Sequence, residues 1–448
     1  MNLRSVPVVI KAEQYVARLV ASPLRVRFVS GLSWSLIGAV TSRGLTLLSA
    51  IVVGRILGTS KFGEFAVIQD TIGLFGVIAA SGLGLTVIKF VSEYRSTDPA
   101  RAGNYIGLTV ELSLISGVLS AVGLAGLSVW IANRVLAAPH LAADLRLSTG
   151  LVIFGTINGV QLGAIIGLED FKRWAAVSAI RGILLVVFVV TGGATLGVTG
   201  AVGGAVLAEM SSALVNFVSL RRVCQLRQVP ILYSHRSWKD VKKVWQFAIP
   251  ATLGSLVIMP AMWLSSVILV NQPNGYRALG IFDAADRWRQ LILFLPSSIA
   301  PMILPMLSNL HGLGARESFK KVFYTNLALN FVISLIPAFG LALISRFAMG
   351  LYGNGYDAGW LTLIILSGVT IASTLNIAMG QGIVSLGLIW WRFSLDVVLA
   401  VLLIVGSLGF IPAYQENGLA LANLFAYWIT VLALFLVVRT QFAKHGVL

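Results

Sequence analysis

Apolar runs of roughly twenty residues or more recur along the whole chain and are separated by short polar segments. Each run can cross a hydrocarbon core about 30 Å thick at about 1.5 Å per residue. Runs such as 184–190 do not alternate as the strands of a membrane β-barrel would. The pattern predicts an all-α polytopic membrane protein with about twelve transmembrane helices. The predicted spans are 28–54, 62–88, 105–132, 147–168, 174–192, 197–220, 246–270, 279–307, 322–345, 358–380, 386–410 and 418–438.

An internal repeat relates the first six spans to the last six, because a shift of about 217–218 positions superimposes similar residues. Each half has an even number of crossings, so the halves share one orientation and are related by an axis along the membrane normal. This predicts two six-helix lobes around a central cavity, an architecture suited to alternating access. The aligned residues are Gly63-Glu64-Phe65 with Gly280-Ile281-Phe282, Asn158 with Asn376, and Gly200 with Gly418.

The spans divide the chain into five predicted parts. Two short stretches, 8–20 and 237–246, place apolar residues at helical spacing beside basic ones, which is typical of helices lying at the cytoplasmic interface. The parts are an amphipathic cytoplasmic segment 1–27, an N-lobe 28–220, a basic cytoplasmic linker 221–245, a C-lobe 246–440 and a cytoplasmic tail 441–448.

Composition and charge agree with this arrangement. The chain is 57% hydrophobic and 11% charged with a mean hydropathy of +0.89, which excludes a soluble fold. About two thirds of the 33 Lys and Arg residues fall on the side that carries both termini, against six on the opposite side. The positive-inside rule therefore predicts a multi-pass protein of the plasma membrane, the inner membrane in bacteria, with both termini cytoplasmic. The net charge of +16 reflects this topology, so nucleic acid is not an expected partner, whereas membrane lipids are.

The sequence lacks the parts of an enzyme. The four histidines all fall in predicted loops or tails, and no phosphate loop or nucleophile motif is present. The single cysteine, Cys224, excludes an internal disulfide and a cysteine-based zinc site, and falls in the predicted cytoplasmic linker. We expect no catalytic activity, no metal and no cofactor, with H⁺ or Na⁺ coupling as the open question.

Ionisable residues inside the spans are the functional candidates. Each costs roughly 2.5–3.5 kcal/mol at a helix centre on insertion scales, so each should face a partner or a hydrated cavity. Counting from the span ends places one group between the midplane and the outer interface, and we assign it to substrate binding: Arg43, Asp70, Asp283, Asp286, Arg287 and Arg289. A second group falls in the inner half and supplies candidates for ion coupling or an inner gate: Glu111, Arg181 and Glu209.

Structural ion pairing is the competing interpretation of these charges. It pairs Arg43 with Asp70 on neighbouring helices, and it is the preferred interpretation for Arg392 with Asp396 at i,i+4. It could also pair Asp283 with Arg287. However, the run 283–289 holds two acids and two arginines, which cover more than one helix face, so a functional role is favoured there.

Several motifs, in order, resemble the polysaccharide-export flippases of the Wzx type, the polysaccharide biosynthesis protein family. In the N-terminal half they are Gly54-Arg55-Ile56-Leu57-Gly58, Phe62-Gly63-Glu64-Phe65 and Ser81-Gly82-Leu83-Gly84. In the C-terminal half they are Leu351-Tyr352-Gly353-Asn354-Gly355-Tyr356-Asp357-Ala358, the segment 376–382, and Ile411-Pro412-Ala413-Tyr414 leading into Gly418-Leu419-Ala420. The resemblance covers nearly the whole chain from about residue 28.

This resemblance implies membership of the multidrug/oligosaccharidyl-lipid/polysaccharide exporter (MOP) superfamily, with two lobes around a V-shaped cavity like that of multidrug (MATE) transporters. It implies that the cargo is a polyprenyl-pyrophosphate-linked oligosaccharide flipped from the cytoplasmic to the outer leaflet. Twelve helices favour an O-antigen, capsule or exopolysaccharide unit over a peptidoglycan precursor, with a polysaccharide polymerase and chain-length proteins as further partners. A cation-coupled multidrug antiporter and a non-transporting scaffold of a polysaccharide assembly complex stay open as alternatives.

Overall fold

The computed structural model describes residues 23–231, 238 and 240–444. The predicted amphipathic helix 8–20 lies outside these residues. Across the described part of the chain the secondary structure is helical and contains no strand. The helices are α1 Pro23–Ala80, α2 Leu83–Tyr94, α3 Pro99–Trp130, α4 Ala142–Leu147, α5 Thr149–Gly167, α6 Phe171–Leu226, α7 Val241–Val270, α8 Gly275–Gly312, α9 Arg316–Leu343, α10 Ser345–Gly350, α11 Trp360–Ser385 and α12 Ile389–Lys444. Short π- and 3₁₀-helical turns at Ile131–Val135, Pro139–Leu141 and Asp357–Gly359 join some of them.

Three of the long helices contain a sharp reversal. The backbone leaves helical geometry at Gly58 in α1, at Gly197 in α6 and at Gln415 in α12, where φ is 73°, 62° and 48°. Glycine adopts such angles freely, and Pro412 already removes a helical hydrogen bond just before Gln415. Each predicted span overlaps one of the resulting segments. Within the described residues eight helical stretches are long and apolar enough to cross a membrane, so the fold is that of a multi-span membrane protein and the number of crossings stays a prediction.

The two repeats meet across a pseudo-two-fold axis. A Cβ added at Gly63 would lie 1.8 Å from the carbonyl oxygen of Tyr276, and one added at Gly280 would lie 2.0 Å from that of Thr59. Thr59 and Tyr276 are separated by the same offset as Gly63 and Gly280. Reciprocal contact of this kind is what a two-fold axis produces, so the halves are related by rotation and the axis passes between these glycines.

Hydrogen bonds to backbone carbonyls hold the lobes together at this end of the bundle. The distribution of Lys and Arg predicts that this end faces outward, and we call it the outer end. All the donors are side chains and none of the acceptors is charged, so the contact can separate without leaving an unpaired ion. The bonds are Arg55 Nε to Leu351 O (2.6 Å), Tyr276 Oη to Leu136 O (2.7 Å), Asn271 Nδ2 to Val135 O (2.8 Å) and Tyr356 Oη to Gly54 O (3.2 Å).

The first turns of α7 pack in the N-lobe rather than the C-lobe. Val244 is fully buried in the N-lobe core, and the Phe247 ring meets that of Phe90 edge-on at 6.3 Å. The last turns of α7, up to Val270, pack in the core shared with the C-lobe, and Pro250 and Pro260 lie between. The first turns of α7 therefore contact the N-lobe although most of the helix belongs with the C-lobe, where a Cβ added at Gly254 would meet Asp396 of α12. The lobe boundary at residue 246 stays a prediction.

At the two predicted cytoplasmic segments, α6 continues to Leu226 and α12 to Lys444, so helix extends into the predicted linker and tail. From Val241 onward, the stretch 237–246 is the start of α7 rather than a separate interfacial helix.

The first prediction concerns sidedness. Cys224 is 3% exposed, so its failure to react with a thiol reagent would report burial rather than compartment. In a Cys224→Ser background, Gln225→Cys, an exposed position on the same turn, should resist a membrane-impermeant maleimide in intact cells and react after lysis. The control His140→Cys, exposed at the opposite end, should react in intact cells. Labelling of Gln225→Cys in intact cells would show that the topology is the reverse of the predicted one.

The second prediction concerns the axis. Gly63→Ala should force the outer end apart, because its methyl group meets the Tyr276 carbonyl. Spin labels at Arg134→Cys and Asn354→Cys, exposed positions of opposite lobes at the outer end, should then show longer distances by electron paramagnetic resonance. Gly76→Ala on the same helix is the matched control, because a Cβ there contacts nothing within 4 Å. Equal distances in the two variants would contradict the close contact at Gly63.

Candidate substrate cavity

The larger central cavity has a volume of about 670 Å³ and lies between α1, α5 and α6 of the N-lobe and the middle of α8. We call it the N-lobe cavity. Its charged lining consists of Arg43, Arg181, Arg287 and Glu209. The uncharged lining combines aliphatic side chains with hydroxyl groups and aromatic rings, including Ser42, Ser178, Phe65 and Trp174. Three arginines against one glutamate make this an anion-attracting space inside the membrane.

Arg43 is the cavity arginine most available to a ligand. Its side chain is exposed, and no ion pair with Arg43 is found in the described part of the chain. The predicted pair with Asp70 is wrong, because Asp70 instead accepts a hydrogen bond from Ser266 and faces a different cavity. The two residues lie on the segments of α1 before and after Gly58, and each lines a different cavity.

Arg43 and Arg181 lie at the same height, contrary to their predicted assignment to different depths. A Cβ added at Gly38 would touch Ala175, and one added at Gly182 would touch Leu45, at 2.5 and 2.8 Å. These close contacts align α1 and α6 side by side, so residue 43 faces residues near 180. The predicted depths were wrong because span ends are uncertain by several residues.

Glu209 and Arg181 form a buried network across α6 and α5. Arg181 donates to Glu209 Oε1 through Nε at 2.9 Å and also through its terminal nitrogen. Asn158 donates to Glu209 Oε2 at 2.6 Å, and Asn216 donates to Asn158 Oδ1 at 2.8 Å. Glu209 is thus held by three donors at the cavity wall. Its role as a coupling or gating group stays a prediction.

A second cavity, of about 260 Å³, lies between α1, α7, α8 and α12. We call it the C-lobe cavity. Its charged lining is Asp70, Asp283, Asp286 and Arg287. Arg287 is bonded to Asp283 at 3.1 Å, as the i,i+4 spacing predicted, and Asp286 is bonded to Arg289 and to Gln290. The carboxylates outnumber the arginines here, the reverse of the N-lobe cavity.

Three side chains, Gln69, Arg287 and Gln290, line both cavities and form the wall between them. They come from the two segments that meet at the axis, the second half of α1 and the middle of α8. The sequence search for charged residues missed Gln69 and Gln290. Their intramembrane position beside Asp70 and Asp286 was the available signal, because polar groups there are also costly.

Two predicted site residues lie elsewhere. Arg289 is 8% exposed and lines neither cavity, because it packs behind Asp286 as its ion-pair partner. Glu111 accepts a hydrogen bond from Trp238 Nε1 at 3.1 Å, which attaches the linker to α3. Arg289 is therefore a supporting residue, and Glu111 lies outside the cavities.

The C-lobe repeats the N-lobe network in modified form. Arg392 donates to Asp396 at 2.7 Å, confirming the predicted structural pair, and to Asn376 Oδ1 at 2.8 Å. Asn376 is the repeat partner of Asn158. An arginine, a carboxylate and an asparagine thus stabilise each lobe, and the asparagines could have been found from the repeat alone.

Comparison with known proteins places this arrangement in a family. The model of the polysaccharide biosynthesis protein family matches residues 28–311, which is well over half of the chain. The chain belongs to this family.

The relatives and the structural neighbour reported for this family member cover most of its length. It is 22% identical over 423 residues to the EPS I polysaccharide export inner membrane protein EpsE of Ralstonia solanacearum, covering 92% of this chain and 93% of that protein. It is 21% identical to the probable low-salt glycan biosynthesis flippase Agl15 of Haloferax volcanii, covering 92% and 84%. An inward-facing multidrug resistance MATE transporter of the MOP superfamily shares the fold, with a TM-score of 0.76 at 16% identity over 92% of this chain and 99% of the other.

The third prediction tests the buried network of this family member. Arg181→Ala should lower the stability of the purified protein by roughly 3 kcal/mol or more, because it leaves the buried Glu209 carboxylate without its cation. Glu209→Gln should cost less, since the Arg181 side chain is 37% exposed and can reach cavity water. The double change Arg181→Ala with Glu209→Ala should recover part of the loss.

Thermal unfolding in detergent measures these changes. The surface pair Asp170 and Arg173 supplies the control, and Arg173→Ala should shift the midpoint little. A larger loss in the double variant than in Arg181→Ala would contradict the pairing.

Proposed function

We propose that this protein is a flippase that moves a polyprenyl-pyrophosphate-linked oligosaccharide from the cytoplasmic to the outer leaflet of the plasma membrane for surface polysaccharide biosynthesis. An O-antigen, capsule or exopolysaccharide unit is the expected cargo. Two relatives support this proposal by name, one as a polysaccharide export protein and one as a glycan biosynthesis flippase.

The single observation that carries the proposal is the positive charge of the N-lobe cavity. Arg43, Arg181 and Arg287 line it with only Glu209 in opposition, and Arg43 is exposed there. An arginine in a low-dielectric cavity strongly favours an anion, and its planar fork matches two phosphate oxygens at once. A pyrophosphate diester is the anionic part of the proposed cargo, so it would sit beside Arg43.

The cavity size and the outer closure agree with this cargo. A volume of about 670 Å³ falls within the roughly 300–1,000 Å³ typical of ligand pockets, enough for a headgroup and the first sugars. The polyprenyl chain would remain in the bilayer. Since the lobes are joined at the outer end, cargo would enter from the cytoplasmic side and leave after the lobes rotate about the axis.

The alternatives receive less support from the same cavity. A cationic drug would be repelled by three arginines, so a multidrug antiporter is disfavoured. A non-transporting scaffold would have no use for a charged, partly hydrated cavity, each charge of which is costly in a membrane. A polymerase and chain-length proteins stay expected partners of a flippase.

The fourth prediction tests the charge clamp. Arg43→Ala should reduce transfer of lipid-linked sugar to the outer leaflet at least tenfold while leaving the protein at normal abundance, because Arg43 holds no carboxylate that would be left unpaired. Arg43→Lys should restore part of the transfer, since it keeps the charge and loses the bidentate fork. Cells deleted for the gene and complemented with each variant can be assayed for the leaflet in which the lipid-linked sugar resides.

The control is Arg439→Ala, an exposed arginine near the end of α12 and away from both cavities, which should transfer normally. Normal transfer by Arg43→Ala would overturn the proposed headgroup contact. Normal sidedness of the lipid-linked sugar in the deleted cells would overturn the flippase function itself.

A further inference from the structure

We propose that Asp70 is a proton-binding site and that its protonation stabilises the closed outer end, so that lobe movement is linked to proton uptake and release at this carboxyl group. The inference rests on the proposed function, because alternating access is the movement that the proton would bias. It assigns the coupling role to the C-lobe cavity rather than to the residues predicted for it, Glu111, Arg181 and Glu209.

Asp70 lies where the two lobes touch. It belongs to the second half of α1, whereas its hydrogen-bond donor Ser266 lies on the last turns of α7, and Ser266 Oγ is 2.7 Å from Asp70 Oδ2. The next residue repeats the connection, because Trp263 Nε1 donates to Thr71 Oγ1 at 3.0 Å. Two neighbouring positions of α1 therefore hold α7 by hydrogen bonds, and separation of these helices would break both.

The charges that face Asp70 do not neutralise it. On α8 these are Asp283, Asp286 and Arg287, and Arg287 is already bonded to Asp283 while Asp286 is bonded to Arg289. The α7 and α12 walls contribute uncharged side chains: Met259, Met262, Trp263, Ser265, Ser266, Leu403, Leu419 and Asn423. Asp70 has no cation partner among the described residues. An ionised Asp70 would add a third negative charge to this space, whereas a protonated one would not.

Lobe separation would change the surroundings of this carboxyl group. If the outer end opens, α1 moves away from Ser266 and water reaches Asp70, which removes the cost of its charge. The protonated form then belongs to the closed state and the ionised form to the open state. By reciprocity, protonation favours closure and rising pH favours opening. The open-to-closed ratio should change by up to about tenfold per pH unit across the transition if one proton is involved.

The fifth prediction measures this ratio without cargo. The Cys224→Ser protein carrying spin labels at Arg134→Cys and Asn354→Cys is placed in lipid nanodiscs, and distance distributions are recorded by electron paramagnetic resonance from about pH 5 to about pH 9. The parent should shift from short to long distances as the pH rises. Asp70→Asn, which is uncharged and keeps an acceptor for Ser266, should remain at short distances throughout. Asp70→Ser, also uncharged, should remove the pH response as well, which covers the case in which the asparagine variant is not recovered.

Two adjacent serines provide a matched pair. Ser266→Ala removes the hydrogen bond between the lobes and should move the whole titration toward the open state at every pH. Ser265→Ala should leave the pH titration of the open-to-closed ratio unchanged, because the Ser265 hydroxyl contacts Ala261 and Ser407 within the C-lobe. A pH response that persists unchanged in the Asp70 variants would overturn the proposal. So would a parent that responds to Na⁺ concentration at fixed pH and not to pH.

The outcome is separable from the proposed function. Arg43→Ala should abolish transfer of lipid-linked sugar and keep the full pH response, since Arg43 lies in the other cavity. If transfer is normal in Arg43→Ala but the Asp70 titration holds, the cargo assignment fails alone. If the titration fails and Arg43→Ala still blocks transfer, the proton site fails alone.

Discussion

The cost of an unpaired charge inside a membrane governs how this bundle is assembled. Four intramembrane carboxylates are held by arginines: Glu209 by Arg181, Asp283 by Arg287, Asp286 by Arg289 and Asp396 by Arg392. Two of these carboxylates, Glu209 and Asp286, also accept a hydrogen bond from a side-chain amide, because a carboxylate in hydrocarbon needs more than one partner. Among the candidate charges in the described residues Arg43, Asp70 and Glu111 have no ion-pair partner, and of these Arg43 and Asp70 face cavities. Pairing is thus the default state of an intramembrane charge here, and departures from it mark the candidate functional groups.

The axis of the repeat determines where those cavities can form. Gly63 and Gly280 allow the backbones of α1 and α8 to approach so closely that no side chain fits between them. The same two segments then diverge below the contact, and the side chains that follow along them, Gln69 and Gln290, become a shared wall. Close packing at one end and separation at the other is a geometry that rotation about the axis can invert. The side-chain to carbonyl hydrogen bonds at the outer end suit such a movement, since none of their acceptors is charged and they exchange readily with water.

Much of the fold could be predicted from the sequence, because the length of an apolar run and the spacing of a repeat can be recognised without knowing how the helices pack. The helical, multi-span class and the relation of the halves follow from these signals. Details that depend on rotation about a helix axis could not be predicted. Arg43 and Asp70 could be selected as candidates by depth alone, yet they lie on the two segments of α1 before and after Gly58 and line different cavities. The contact of the first turns of α7 with the N-lobe core was not predicted for a similar reason, because hydropathy does not show against which core an apolar face packs.

Two cavities of opposite charge allow anion binding and proton binding to occur in one protein, which a single cavity would not. An anionic headgroup needs arginines, whereas a group that binds and releases a proton needs to avoid them, since a neighbouring arginine would hold the carboxylate ionised. Arginines line the N-lobe cavity and aspartates line the C-lobe cavity, and Arg287 is the charged side chain that the two linings share. Asp283 occupies Arg287, which keeps that arginine from Asp70. An anion on the N-lobe side would compete with Asp283 for the same guanidinium group. Arg287 is therefore the one charged side chain through which occupancy of the first cavity can alter the electrostatics of the second.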